Sequence, residues 1–229
     1  MIQIPDIDAD LNRARALPGH CYHDAALAGL EQHAIFRRHW QFVAHTSQLA
    51  QSGDFVSAQL GDQPIVLARD GATLRGFHNV CRHRGGPLTV GCGRQRQFNC
   101  RYHGWTYGLD GRLLRAPLMQ AETDGHGGAL DLRPLRVEAV AGLVFATSNP
   151  AAPALAVWLA TLSPRLARIP IDGLVFVRRR TFDVQSNWKI YVENYLEGYH
   201  VPAVHPGLNR EIDFRAYTTE LGDRWTCQH

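Results

Sequence analysis

The stretch CRHRGGPLTVGCGRQRQFNCRYHGW, residues 81–105, constrains this chain more than any other, because it carries two thiols and two imidazoles in two short, similar clusters. One residue separates Cys81 from His83, two separate Cys100 from His103, and sixteen lie between the clusters. The one-residue gap of the first pair fits a tight loop tip better than a helix. The five cysteines (21, 81, 92, 100 and 227) are an odd set in a chain whose N-terminus, MIQIPDIDADLNRA, is acidic where an export signal is basic and then apolar. Under reducing conditions, thiols this close to histidines point to a metal rather than to a disulfide framework. Cys21, Cys92 and Cys227 are expected to be inert thiols.

Structural zinc also takes two cysteines and two histidines, but usually pairs cysteine with cysteine and histidine with histidine along the chain. Here each cluster is mixed. Mixed pairs suit a binuclear cluster, in which sulfide already crowds each iron and each of two loops supplies one thiolate and one imidazole. In a Rieske 2Fe–2S centre both cysteines bind one iron and both histidines the other, which raises the reduction potential above that of an all-thiolate ferredoxin.

The segments NVCRHRGGPL and CRYHGWTYGLDGRL resemble the two cluster-binding loops of Rieske non-haem iron oxygenases. The likeness extends to Gly85-Gly86-Pro87, Gly104-Trp105 and the stretch from Tyr107 to Asp110-Gly111. It implies that Cys81, His83, Cys100 and His103 are the 2Fe–2S ligands. Arg101 stands where the family usually has proline. Respiratory Rieske proteins add a disulfide between the loops, but the nearby positions here are Gly86 and Tyr102, so a low-potential, ferredoxin-like cluster is expected.

A second constellation lies in SNWKIYVENYLEGYHVPAVHPGLNREID. A single helix over 187–200 would place Glu193, Glu197 and His200 on one face. Val201-Pro202 marks the expected helix end, after which a turn could fold His205 back beside His200. Two imidazoles with a carboxylate and open positions are what non-haem ferrous iron uses. The pattern Glu197-x₂-His200-x₄-His205 resembles the mononuclear iron motif of the same family, which implies His200 and His205 as ligands of Fe(II). By the same likeness Glu197 is not a ligand. It is the acidic bridge to a cluster histidine of a neighbouring subunit, hydrogen-bonded so as to orient metal-bound imidazoles. The resemblance takes the third, carboxylate ligand from a helix beyond residue 229. Glu211, Asp213, Glu220 and Asp223 are weak substitutes, so the chain reads as the N-terminal part of a longer α subunit.

Around these sites, DAALAGLEQHAIFRRHW (24–40) reads as a helix capped by Asp24, with Leu27, Leu30, Ala34 and Ile35 in one apolar stripe. DFVSAQL, PIVLARD, LRGFHNV, FNC, WTYGL, RLL, RVEAV and GLVFATS read as strands. Turns are expected at Gly61-Asp62 and Asp70-Gly71, and a type I′ hairpin at Asp110-Gly111. After NPAAPA, VWLATLSPRLARI looks helical with a new start or kink at Pro164, and GLVFVRRRTFDV reads as a strand. The fold expected is α+β. Residues 41–149 form an all-β Rieske domain (an antiparallel sandwich). Residues 1–40 and 150–229 contribute to a helix-grip-like catalytic domain incomplete at the C-terminus.

The 24 basic and 21 acidic residues, net charge +3, give no reason to expect a nucleic-acid partner, and the apolar runs are too short for a membrane span. A cytoplasmic protein is expected. The resemblance implies a terminal oxygenase component that forms a homotrimer. It would receive NAD(P)H electrons through a reductase, with or without a ferredoxin, and activate O₂ to hydroxylate a small organic substrate. That substrate would be aromatic or a quaternary ammonium compound. For the latter, Tyr191, Tyr195 and Tyr199 are candidates for an aromatic cage, though tyrosines at this helical spacing more often serve packing. The alternative is a Rieske-type electron carrier using residues 41–149 alone, which would bind two irons per chain rather than three.

Overall fold

Ile65, Val66, Leu67 and Ala68 form an unbroken apolar run, and each is fully buried. A strand with both faces covered needs no polar alternation, and the computed structural model places this run at the centre of a seven-stranded sheet. The structure describes residues 5–8, 10, 12–119 and 128–229. These separate into two compact units, Glu31–Arg178 and the combination of Met1–Leu30 with Arg179–His229.

In the larger unit the chain runs through β1 (Gln41–His45), β2 (Asp54–Leu60), β3 (Gln63–Asp70), β4 (Thr73–His78) and β5 (Cys92–Arg94). It continues through β6 (Gln97–Asn99), β7 (Thr106–Gly108), β8 (Leu113–Arg115), β9 (Pro134–Val140) and β10 (Leu143–Thr147). One sheet has the order β1-β10-β9-β4-β3-β2-β5 and the other β6-β7-β8, with every pairing antiparallel. Along β3 the side chains divide by parity. Val66 and Ala68 join Phe55, Phe77, Phe98 and Tyr107 in one core, while Ile65 and Leu67 join Val43, Leu60 and Val144 in another. The first core also contains Cys81 and Cys100, so the loop thiols are anchored in the apolar interior. Trp40, Phe145 and Leu155 form a third core.

Turn chemistry sets the strand register. Gly61 and Gly71 have φ of 59° and 56° and open two-residue turns that pair Leu60 with Gln63 and Asp70 with Thr73. The type I′ hairpin expected at Asp110-Gly111 does not form. Only Gly111 of that pair has positive φ, its N–H bonds Gly108 C=O at 3.0 Å, and the β7–β8 register slips by one residue. A type I′ geometry occurs instead at Ala141-Gly142, with φ of 48° and 78°, joining β9 to β10.

Three other expectations are corrected. Asp24 does cap a helix, its carboxylate accepting from the N–H groups of Ala26 and Leu27, but α1 (Ala25–Glu31) is short and passes into a π-helical turn at Gln32–Phe36. Ser148 and Asn149 side chains then take the carbonyls of Arg37 and Arg38, which satisfies the chain outside a helix. The wider turn breaks the apolar stripe, so Leu27 is buried while Leu30 and Ile35 are exposed. The segment 157–169 splits into α2 (Leu155–Trp158) and α3 (Ser163–Leu166), the second opened by Pro164. GLVFVRRRTFDV is not a strand. After a 3₁₀ turn at Ile171–Gly173 it has no regular structure, no strand pairs with it among the described residues, and Val175, Val177 and Phe182 stay exposed.

The smaller unit holds α4 (Trp188–Leu196), α5 (Val201–Val204), α6 (Pro206–Glu211) and a hairpin of β11 (Thr219–Leu221) with β12 (Thr226–Gln228). Tyr22 anchors α4 twice. Its hydroxyl donates to Glu193 at 2.8 and 3.0 Å, and its carbonyl accepts from Asn187 Nδ2 at 3.0 Å. No helix among the described residues is long and apolar enough to cross a membrane.

The β9–β10 turn gives substitutions of opposite sign. Ala141 carries a Cβ in left-handed backbone at a cost of about 1–2 kcal/mol, so Ala141→Gly should raise stability by up to about 1 kcal/mol after the entropy cost of glycine. Gly142→Ala should lower stability, since its Cβ would stand 2.6 Å from His45 Nε2 and 2.8 Å from Asp172 Cα. Urea midpoints of the two variants check both signs.

Candidate metal centres

Both cysteine–histidine loops are closed by the same pair of backbone bonds. In the first, Cys81 N–H donates to Gly86 C=O at 2.8 Å and Gly85 N–H donates to Cys81 C=O at 3.0 Å. In the second, Cys100 N–H donates to Trp105 C=O at 2.8 Å and Gly104 N–H to Cys100 C=O at 3.0 Å. The fourth residue after each cysteine must turn into left-handed backbone, and both are glycine, with φ of 76° and 72°. The repeated motif is therefore one turn used twice, with the histidine two residues after cysteine in one loop and three in the other. Asn79 ties down the first loop, accepting from the N–H groups of Leu88 and Thr89 and donating to Thr89 C=O.

The fold re-sorts what the sequence pairs. Along the chain each cysteine has a histidine neighbour, whereas in space thiol lies with thiol and imidazole with imidazole. Cys81 and Cys100 are both 3% exposed, share one apolar core and lie close enough for each thiol to bear on the other. The rings of His83 and His103 lie with centroids 4.7 Å apart. This sorting is what a 2Fe–2S centre with one all-thiolate and one all-imidazole iron requires. Among the described residues, no three His, Cys, Asp or Glu side chains converge as donors for one ion.

The surroundings fit such a group. Burial, together with the neighbouring Cys81 thiol, pushes the Cys100 thiol up, while the backbone N–H groups of Tyr102 and His103 pull it down. Two adjacent buried thiols cannot both ionise without a compensating cation. His83 Nδ1 is buried without a hydrogen-bond partner, which leaves a free donor nitrogen. The ring of His83 stacks on Trp105 at 4.9 Å and 7°, which fixes its plane. A Cβ on Gly86 would stand 3.2 Å from Cys100 Sγ, so the sulfur needs the space glycine leaves.

Tyr107 completes the environment. It is fully buried, and its oxygen accepts from Arg82 N–H at 3.0 Å and lies 3.4 Å from Cys81 Sγ. Burial above all, and then the Cys81 sulfur, push its phenol far up, so it stays protonated and has an O–H to direct at that sulfur once the sulfur is a thiolate. The roles of Asn79, Trp105 and Tyr107 were not readable from sequence. Trp105 and Tyr107 stand in the resemblance motif, but only the folded contacts give them a task.

In the smaller unit the expected single helix over 187–200 is interrupted. Asn187 caps α4 by accepting from Lys189 N–H at 3.0 Å, and the helix stops at Leu196, with Glu197 extended at φ −141° and ψ 162°. Glu193, Glu197 and His200 therefore do not share a helical face, and Glu193 is taken by Tyr22. Pro202, expected to mark a helix end, opens α5 instead. That short helix returns the chain, and the rings of His200 and His205 come within 5.2 Å at 75°. Glu197 Oε1 accepts from His200 Nδ1 at 2.5 Å. The imidazole holds the Glu197 carboxyl below the usual carboxylate range, and the bond leaves His200 Nε2 available to a metal. The two rings and the carboxylate line a cavity of about 490 Å³ together with Tyr195, Tyr217 and Gln228. Three of the four later acids have other partners: Asp213 caps Arg215 N–H, Glu220 meets His229 at 3.2 Å and Asp223 meets Arg224 at 3.4 Å.

Comparisons with known proteins agree with both halves. Residues 39–137 match the family model of the Rieske 2Fe–2S domain, and residues 171–226 that of the ring-hydroxylating α-subunit catalytic domain. The chain is 39% identical over 209 residues to the glycine betaine monooxygenase oxygenase subunit of Chromohalobacter salexigens, covering 89% of this chain and 47% of the relative. A crystal structure of a quaternary ammonium Rieske monooxygenase with its substrate L-carnitine superposes with a TM-score of 0.93 at 32% identity, covering 100% of this chain and 66% of that one. A naphthalene 1,2-dioxygenase from Rhodococcus sp. bound to indole gives 0.76 at 29% identity, covering 85% and 46%. The chain thus spans about half to two thirds of the length of these relatives. It carries a Rieske domain and part of a ring-hydroxylating catalytic domain, and is homologous to these oxygenase subunits.

Tyr107→Phe should leave the cluster assembled but shift its reduction potential to a more negative value, because a donor to the sulfur that favours the reduced form is lost. It should also destabilise the fold by about 1–3 kcal/mol, since Arg82 N–H loses its acceptor. Spectroelectrochemical titration and urea unfolding of the same variant check the two effects, and an unchanged potential would contradict the direction assigned to the O–H.

Proposed function

We propose, for a chain that belongs with the Rieske-type ring-hydroxylating oxygenases, that it is the N-terminal part of a terminal oxygenase component acting on a quaternary ammonium substrate. Cys81, Cys100, His83 and His103 would hold the 2Fe–2S cluster, and His200 and His205 the mononuclear Fe(II). When bound, these groups supply electron delivery and a site of O₂ activation beside the substrate. The chain's own residues bury the thiols, fix the plane of His83 against Trp105, direct a proton at Cys81 Sγ and orient His200 through Glu197. Glu197 is about half exposed, which suits a carboxylate that also reaches the cluster histidine of a neighbouring subunit in a cyclic homotrimer. Electrons would come from NAD(P)H through a separate reductase, directly or by way of a ferredoxin. On this reading residues 1–40 and 150–229 belong to the catalytic domain and residues 41–149 to the Rieske domain.

The observation that carries the proposal is the presence of two donor sets of different type. An electron carrier has no use for a second imidazole pair with a hydrogen-bonded carboxylate on a cavity. The quaternary ammonium class is favoured over the aromatic one by the betaine- and carnitine-oxidising relatives and by the lining of the cavity. Of the three tyrosines considered for a cage, Tyr195 lines the cavity, whereas Tyr191 pairs with it at 5.3 Å and Tyr199 is 90% exposed.

Full-length protein carrying the helix that follows residue 229, prepared without oxygen, should contain three irons and two acid-labile sulfides per chain. Two irons with two sulfides would leave only the carrier, and zinc without sulfide would remove both. His83→Ala should abolish the Rieske spectrum. Glu197→Gln should retain all three irons yet slow electron transfer to the second site by at least tenfold, read by single-turnover reoxidation of the reduced cluster. Unchanged reoxidation would remove Glu197 from the route.

A further inference from the structure

Tyr217 lies nineteen positions after Gly198 in sequence and directly against it in space. A Cβ on Gly198 would stand 2.1 Å from Tyr217 Cε1, 2.3 Å from Cζ and 2.5 Å from the hydroxyl oxygen. Gly198 is buried and its φ is not positive, so glycine is needed here for the space it leaves. The ring also stacks on Phe214 at 5.5 Å and 23°, which occupies one of its two faces. Its backbone leads into the β11–β12 hairpin, where Thr218 and His229 exchange backbone bonds of 3.1 and 2.9 Å. A half-buried ring held this firmly forms one wall of the cavity that contains His200, His205 and Glu197. Burial, with the Glu197 charge added to it, pushes the Tyr217 phenol up, so the ring is neutral and the carboxylate is close enough to be felt.

A trimethylammonium group has no N–H with which to form hydrogen bonds. It can be recognised only by charge and by aromatic faces. Tyr217 supplies the face and Glu197 the charge on the same cavity. Building on the proposed function, we propose that Tyr217, seated on the side-chain-free Gly198, is the specificity-determining residue that receives the cationic head of a quaternary ammonium substrate. Tyr195, on the same cavity, provides a second aromatic surface. Gly198 is then a positioning residue: it does not meet the substrate, and any side chain there displaces the ring.

The test is equilibrium binding, by calorimetry on the iron-loaded chain, of glycine betaine, L-carnitine and the neutral-headed isostere 3,3-dimethylbutanoate, in which carbon replaces the quaternary nitrogen. Tyr217→Phe keeps the ring and should bind the cations within about threefold of the parent. Tyr217→Leu should weaken the cations about tenfold and the isostere much less. Gly198→Ala should reproduce the loss, and the double variant should be no worse than either single one. A Tyr217→Leu variant that binds glycine betaine as the parent does, or loses cation and isostere equally, overturns the proposal and leaves the oxygenase reading in place. A parent chain that binds no quaternary ammonium compound defeats the substrate class itself. Thermal unfolding identifies a variant that has not folded, and whichever of Tyr217→Leu and Gly198→Ala is folded then decides by the ratio of cation to isostere affinity.

Discussion

The larger unit depends on the contact between its two loop tips. Each loop is closed by its own cysteine and glycine, and each drives its cysteine into the core between the sheets. The result is a pair of thiols at 3% exposure in one apolar core, a local arrangement that apolar surroundings penalise as soon as either ionises. A cationic group bridging the pair relieves this. Asn79 just past β4, Trp105 against His83 just before β7 and Tyr107 beside Cys81 within β7 maintain the arrangement, and all three are buried. The long apolar strand β3 provides the wall on which this rests.

The smaller unit works by interruption. A continuous helix through His200 would have spread Glu193, Glu197 and His200 along one face. Ending α4 at Leu196 frees Glu197 to bend back to His200 and lets the short α5 bring His205 round. The close approach of Tyr217 to Gly198 requires a residue without a side chain at the break, so the device that opens the helix also supplies a wall of the cavity. Glu193, released from the face, ties α4 to Tyr22.

Much of this was legible beforehand where the signal is local. Strand β2 spans the residues DFVSAQL that its pattern marks out, and Asp24 caps where an N-cap residue should. Failures came where a neighbour distant in sequence decided the outcome. GLVFVRRRTFDV has strand propensity but no partner strand, and a strand is stable only when paired. The type I′ turn formed at Ala141-Gly142 rather than at Asp110-Gly111, because the registry of β9 with β10 imposes left-handed backbone even on alanine. The stripe expected in α1 broke when the chain widened into a π turn to reach β1.

The sequence by itself determined the donors: two thiols, two pairs of imidazoles and one carboxylate, at spacings set by covalent chain geometry. It also determined where glycine makes the tight turns that expose them. Tertiary structure decided which donor faces which. A mixed Cys–His pair in each loop became a thiol pair and an imidazole pair, and a carboxylate three residues from a histidine became its hydrogen-bond partner because the helix between them ended. The reason is physical: identity and spacing are one-dimensional properties, whereas burial and approach depend on surfaces contributed by residues far apart in the chain.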